Sequence, residues 1–360
     1  MTVEAFISSP YQQKPAKGSH TWKSPSNIAL VKYWGKTAPQ IPANPSISFT
    51  LNNCHTITTL TYTKQTTVNA DFSFDIFLDG ELKPDFAPKI EIFLKRIEIY
   101  IPFLKEYHFK IETSNSFPHS SGIASSASGM GALALCLMSM EREFVANMDD
   151  GFFLKKASFL ARLGSGSACR SIEGPIVTWG THKEIKNSSD FYGIPYTEEV
   201  NDVFKNYQDT ILLVDVGEKW VSSTVGHNLM NNHPFAEERF VQANSNLSKL
   251  SPIFKSGNLE EFIEVVESEA LTLHAMMMTS MPYFILMKPN TLKIIEKVWE
   301  YRKETGSHLC FTLDAGANVH LLYPEAEKET VLQFIKNELV AYCKKGKYIC
   351  DQIGFGARKL

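Results

Sequence analysis

The side chains best suited to chemistry fall into a few short clusters along a 360-residue chain. Asp314 follows an apolar, strand-like run and precedes Ala315-Gly316, so its carboxylate stands at a sharp turn that a ligand can approach. A carboxylate near cations serves as a general base, and one at a turn serves as a cap; residue type alone leaves both readings open. Lys32, Trp34 and Lys36 of the KYWGK run alternate, so an extended backbone puts them on one face, and the two lysines also share a face in a helix. Two ammonium groups so close repel each other, which suits a bound polyanion. Arg170, in GSGSACRS (Gly164–Ser171), adds a guanidinium fork matched to carboxylate or phosphate among glycine and serine donors. The VSST turn at Val221–Thr224 is a weaker donor cluster, with His227 close behind it.

A different chemistry is offered by Asn115–Gly131, NSFPHSSGIASSASGMG, which runs directly into the apolar stretch Ala132–Met140. A small-residue loop opening a buried helix is an anion cradle, because first-turn N–H groups lack partners and the helix dipole favours negative charge. The serine hydroxyls add ligands for phosphate oxygens or for a Mg²⁺ riding on them. No Gly-Lys-Ser/Thr ending follows, so this is not the Walker loop.

Around these clusters the pattern predicts hairpins with helices gathered between them, an α+β chain in two lobes, 21–195 and 196–360, after a flexible lead-in over 1–20. Ser46–Thr63 reads as a hairpin turning at Asn52-Asn53, and Phe72–Leu82 as a second one turning at Asp79-Gly80. Helical periodicity covers Ile90–Leu104 and Asp150–Leu163, with strands at Phe109–Glu112 and Pro175–Trp179. The polar, aperiodic stretch 181–208 is the expected lobe boundary. Beyond it come a strand at Thr210–Val216, helices near 234–250, 258–275 and 289–305, paired strands at His308–Leu313 and Val319–Tyr323, and a helix over Glu325–Lys344.

The net charge of −3 supplies no electrostatic footprint for nucleic acid or an anionic membrane, so an anionic substrate must be drawn by a local group of Lys and Arg. Six cysteines lack metal-ligand spacing and point to reduced thiols. No leader-like or membrane-spanning apolar run is present in the sequence, and a cytoplasmic protein is expected.

Taken together, SPSNIALVKYWGK, NPSISFTL, NSFPHSSGIASSASG, GSGSACRS, KWVSST and FTLDAGAN resemble, in order, the diphosphomevalonate decarboxylase family. That family belongs to the superfamily of galactokinase, homoserine kinase, mevalonate kinase and phosphomevalonate kinase. The resemblance implies a two-lobed fold with its site in the inter-lobe cleft, a homodimer, and ATP with Mg²⁺. It also implies decarboxylation of diphosphomevalonate to isopentenyl diphosphate. By position in the motifs it implies Asp314, Arg170 and Lys32 as the catalytic group, and Tyr33, Lys36, Ser165, Gly166, Ser167, Ser223 and His227 as substrate contacts. Asn115, Ser121, Gly122, Ala124, Ser125, Ser126 and Ser128 match the nucleotide site, with Ser125 or Ser126 toward the metal. Three positions depart from the family pattern: His227 where methionine is expected, Pro175 where a second glycine is usual, and Ala317 where proline usually follows DAG. Relatives that act on mevalonate 5-phosphate, or that only phosphorylate the 3-position, are the alternatives. The 3-kinases are expected to lose the Asp/Lys pair, which this chain keeps.

Overall fold

The computed structural model describes residues 2–8, 11, 14–37, 39–67, 70–118, 123–145, 147–215, 217 and 223–360. Two sheets organise them. The larger is mixed and eight-stranded. Its main path runs Arg358–Lys359, Lys17–Val31, Ser46–Lys64, Tyr107–Asn115, Ser73–Leu78 and Glu81–Leu82. Ile176–Trp179 joins the first part of Ser46–Lys64, and Ile194–Pro195 lies beyond it. Pairing is antiparallel except between Ser73–Leu78 and Tyr107–Asn115. The smaller sheet is antiparallel throughout, ordered Cys310–Thr312, Val319–Tyr323, Gln208–Leu212 and Tyr348–Gln352.

The helices are α1 (Ala87–Ile97), α2 (Ser125–Phe144), α3 (Asp150–Gly164), α4 (Ser223–Asn228), α5 (Ala236–Ser256), α6 (Leu259–Met278), α7 (Pro289–Thr305) and α8 (Lys328–Phe334). Local chemistry sets their ends. The Asp149 carboxylate accepts the Phe152 N–H at 2.9 Å to start α3, and the Asn258 side chain accepts the Glu261 N–H at 3.3 Å to start α6. Gly257, at φ +77°, ends α5 in the left-handed conformation that L side chains avoid. Helix α2 is apolar nearly all round because it is buried between the large sheet and α3.

Several expectations change. Ser46–Thr63 is not a hairpin but one strand of 19 residues, Ser46–Lys64. Its Asn-Asn pair sits at a bend where the neighbour on one side changes from Ile176–Trp179 to Tyr107–Asn115. The three N–H groups freed there, on Asn52, Asn53 and Cys54, are accepted by the distant Asp351 carboxylate at 3.0, 2.8 and 2.7 Å, which replaces the turn. Residues 1–20 are not free where described. Phe6 is fully buried against Phe159, Tyr11 donates to Glu141, and the first strand already begins at Lys17. The helix expected over Glu325–Lys344 is regular only as α8, then widens into a π turn at Ile335–Leu339. The Asp79-Gly80 turn, the helices α5, α6 and α7 and the strands Cys310–Thr312 and Val319–Tyr323 fall where the sequence places them, whereas the strand expected at Thr210–Val216 runs Gln208–Leu212 and the helix expected over Ile90–Leu104 ends at Ile97.

Candidate active site

The first strand of the large sheet ends at Val31, and the next residue, Lys32, turns its side chain into the protein. Its ammonium, 2% exposed, donates to Asp314 Oδ1 at 3.0 Å. Asp314 follows the strand Cys310–Thr312, so the pair joins the two sheets. Burial pushes the Lys32 pKa down, while Asp314 and then Glu269 oppose the shift and Arg170 adds to it. The carboxylate is partly open, at 28% side-chain exposure, which leaves it accessible to a small ligand.

Arg170 is also buried, at 3%. It sits in a tight turn directly after α3, and the first strand holds that turn in place. Ser24 donates to the Ser171 carbonyl at 2.7 Å, and Asn27 Nδ2 donates to the Ser171 hydroxyl at 2.8 Å. The guanidinium donates to Asn27 Oδ1 at 3.4 Å and to the Ser46 hydroxyl, and lies 5.7 Å over the Trp179 ring. Its pKa is lowered by burial and raised by Cys169 and Asp314, so the aspartate feels both cations.

The rest of KYWGK lines the same region. The Tyr33 ring packs at 4.6 Å from Trp179 and 4.2 Å from His227, and its buried hydroxyl has no hydrogen-bond partner among the described residues. A side chain at Gly166 would come within 2.9 Å of that hydroxyl, so the glycine keeps the space open. The His227 ring also lies 4.6 Å from the Trp34 ring, tilted by 38°, and its Nδ1 accepts the Gly35 N–H at 3.0 Å. Burial first, then Lys36 and Arg170, hold its pKa down to about 3, so the ring is neutral with its proton on Nε2. Lys36 is half-buried, bonds Gln40 at 2.9 Å, and has its pKa lowered by burial and by Arg96, a second cation from α1. Ser165 and Ser167 are partly exposed in the same turn as Arg170. Ser223 opens α4, next to residues outside the described set.

The nucleotide-site expectation is placed less completely. Ser121 and Gly122 lie outside the described residues. Ala124 precedes α2 in a left-handed conformation, φ 45°, and no side chain caps the helix start. Ser125 is partly exposed and Ser126 exposed on the first turn. Ser128 is fully buried instead, 2.6 Å from the Thr56 hydroxyl, which donates to Asn115 Oδ1 at 2.6 Å. Asn115 and Ser128 are thus tied to the sheet, leaving Ser125 and Ser126 as the hydroxyls facing outward. Among the described residues no group of three or more His, Cys, Asp or Glu can hold a metal ion. Asn27, Ser46, Trp179 and Arg96 belong to the site but give no sequence signal, since each is an ordinary strand or helix residue until the sheet brings it close.

Comparison with solved structures places this architecture in the two-lobed α+β class of that kinase superfamily. The complex of MDDEF with MVAPP, AMPPCP and magnesium matches with a TM-score of 0.81 at 28% identity, covering 96% of this chain and 99% of that one. Mevalonate diphosphate decarboxylase from Staphylococcus aureus matches equally, TM-score 0.81 and 28% identity, over 96% and 98%. Two family descriptions cover the sequence in succession, the diphosphomevalonate decarboxylase-like N-terminal domain over residues 24–190 and the mevalonate 5-diphosphate decarboxylase C-terminal domain over 210–353. The diphosphomevalonate decarboxylase of Ganoderma lucidum is 27% identical over 94% of this chain and 85% of its own length. The chain belongs to the diphosphomevalonate decarboxylase family.

Proposed function

We propose that this chain converts (R)-5-diphosphomevalonate and ATP to isopentenyl diphosphate, CO₂, phosphate and ADP, a step of the mevalonate pathway. The carrying observation is the buried Lys32–Asp314 pair at 3.0 Å with Arg170 beside it. Asp314, set beside these two cations, accepts the proton of the tertiary 3-hydroxyl as that oxygen takes up the γ-phosphoryl group. The C3–O bond then breaks as phosphate leaves, and the electron pair of the C–C bond to the carboxylate forms the new double bond as CO₂ departs. Arg170 orients that carboxylate, and the nearby Asp314 charge stabilises the positive charge developing at C3. Lys36, Tyr33, the Ser165–Ser167 turn, Ser223 and His227 receive the diphosphomevalonate.

Residues 21–195 carry the nucleotide loop and 196–360 carry Asp314. MgATP supplies the phosphoryl group and neutralises its charge. The open first turn of α2, with Ser125 and Ser126, offers donors and hydroxyls suited to it. Six free thiols, five of them buried, support a reducing cytoplasm. The family resemblance supports a homodimer, and exposed Met281, Tyr283 and Ile285 offer it an apolar surface. No helix among the described residues is long and apolar enough to cross a membrane. CO₂ release from diphosphomevalonate, measured beside mevalonate and its monophosphate, tests the reaction; equal or greater release from either would overturn the substrate.

A further inference from the structure

Lys32 lies one residue past the end of its strand, where its main-chain groups lose their sheet partners. Both are captured by the second half of the chain. Glu269 Oε2 accepts the Lys32 N–H at 2.8 Å, and Arg239 Nη2 donates to the Lys32 carbonyl at 3.1 Å. Asn44 also donates to that carbonyl, at 2.9 Å. Glu269 and Arg239 are themselves fully buried and joined twice, at 2.9 and 2.5 Å, and Asn246 donates to Glu269 Oε1 at 2.7 Å. Five residues further along α6, His274 is buried and its Nε2 donates to the Asp314 carbonyl at 3.2 Å. One helix therefore grips the backbone of both members of the Lys32–Asp314 pair.

A fully buried ion pair is a poor device for stability, because its desolvation offsets most of the attraction and an apolar pair of similar volume serves as well. What an apolar pair cannot do is accept the N–H and bond the carbonyl of Lys32. We propose that Glu269, with Arg239, and His274 are positioning residues of the reaction, which set the Lys32 ammonium against the Asp314 carboxylate across the two sheets. This rests on the function proposed above. Glu269 acts through Lys32, and His274 acts through Asp314.

The test replaces the pair together, Arg239→Met with Glu269→Leu, which leaves no unpaired buried charge and is expected to fold. Loss of the grip displaces Lys32, so kcat is expected to fall by about 10²-fold, as an ångström-scale misplacement costs, while both KM values stay within about threefold. His274→Leu should lower kcat in the same selective way and His274→Gln, which restores a donor, should recover most of it. A folded double variant with native kcat overturns the proposal, as does His274→Leu with native kcat. Amide hydrogen exchange at Lys32 reads the grip directly. It should quicken at least about tenfold in the double variant at matched global stability. If the unaltered protein releases no CO₂ from diphosphomevalonate, the proposed reaction fails, while unchanged exchange at Lys32 overturns the grip whatever the substrate.

Discussion

The charged centre and the opening of α2 are built on opposite principles. At the centre, Lys32 and Arg170 are out of water, and each is fixed by partners far away in sequence, Glu269 and Asp314 for the one, Asn27 and Ser46 for the other. At the start of α2, Ser125 and Ser126 face outward on a turn that no side chain caps. The first region has met its desolvation cost during folding, so its charges act at full strength on whatever enters. The second holds main-chain donors and hydroxyls open to water, which suits the phosphate binding proposed for it. Chemistry at the one and exchangeable nucleotide binding at the other fit this division.

The contrast is sharpest at Asp314. Asp314→Asn keeps the shape and removes the charge, so turnover should fall by about 10²- to 10⁴-fold with both substrates still bound. Near-native turnover in a folded variant would erase the distinction between the regions. Next comes Arg170→Met, where loss of one desolvated charge-assisted contact should weaken diphosphomevalonate binding by about 2–5 kcal/mol, read by calorimetry, and leave ATP affinity alone. Equal weakening of both ligands would mean that the two regions are one site energetically.

Acid should undo the buried centre first. His227, lowered to about 3, and His274, lowered to about 4, are held neutral chiefly by burial, against an ordinary value of 6.5. The unfolded chain takes up protons below that value and the folded chain does not. Their contribution is therefore complete above about pH 6.5 and is lost as pH falls toward 4, on the order of 2 kcal/mol for each by pH 5. Denaturant titrations across this range should show the slope, and His227→Met should remove its share. A slope unchanged by that substitution would place His227 in a wetter setting than the structure does. The smallest effect belongs to the open turn. Ser125→Ala and Ser126→Ala should each weaken ATP by about 0.5–1.5 kcal/mol, the worth of one neutral hydrogen bond, without moving diphosphomevalonate affinity. Intact ATP kinetics in both would leave the main-chain donors as the whole cradle.

What the sequence shows follows the same division. KYWGK, GSGSACRS and DAG name Lys32, Arg170 and Asp314 through their match to the family's motifs, while residue type alone leaves Asp314 open between base and cap. The residues that hold them were invisible for physical reasons. Glu269 and Arg239 read as ordinary charges on amphipathic helices, and nothing local reveals that both turn inward to the same main-chain segment. Asn27 and Ser46 lie in strand-like runs where their polarity reads as edge or turn chemistry. The Asn52-Asn53 signal was a genuine break in pairing, but only the fold reveals that a carboxylate fills it.

That carboxylate ties the order of assembly to the order of the chain. Asp351 reaches its three N–H partners across separations of 297 to 299 residues, a span exceeded by the pairing of Trp22 with Lys359. Closures of such span are made late, after shorter contacts have gathered the chain. With the pairing of Trp22 and Lys359, which spans still more of the chain, the bend in the longest strand is expected among the late joints to set. Removing it with Asp351→Asn should quicken unfolding in proportion to the stability lost and leave the rate of folding nearly untouched. On this expectation the carboxylate acts on how long the native state lasts more than on how fast it is reached.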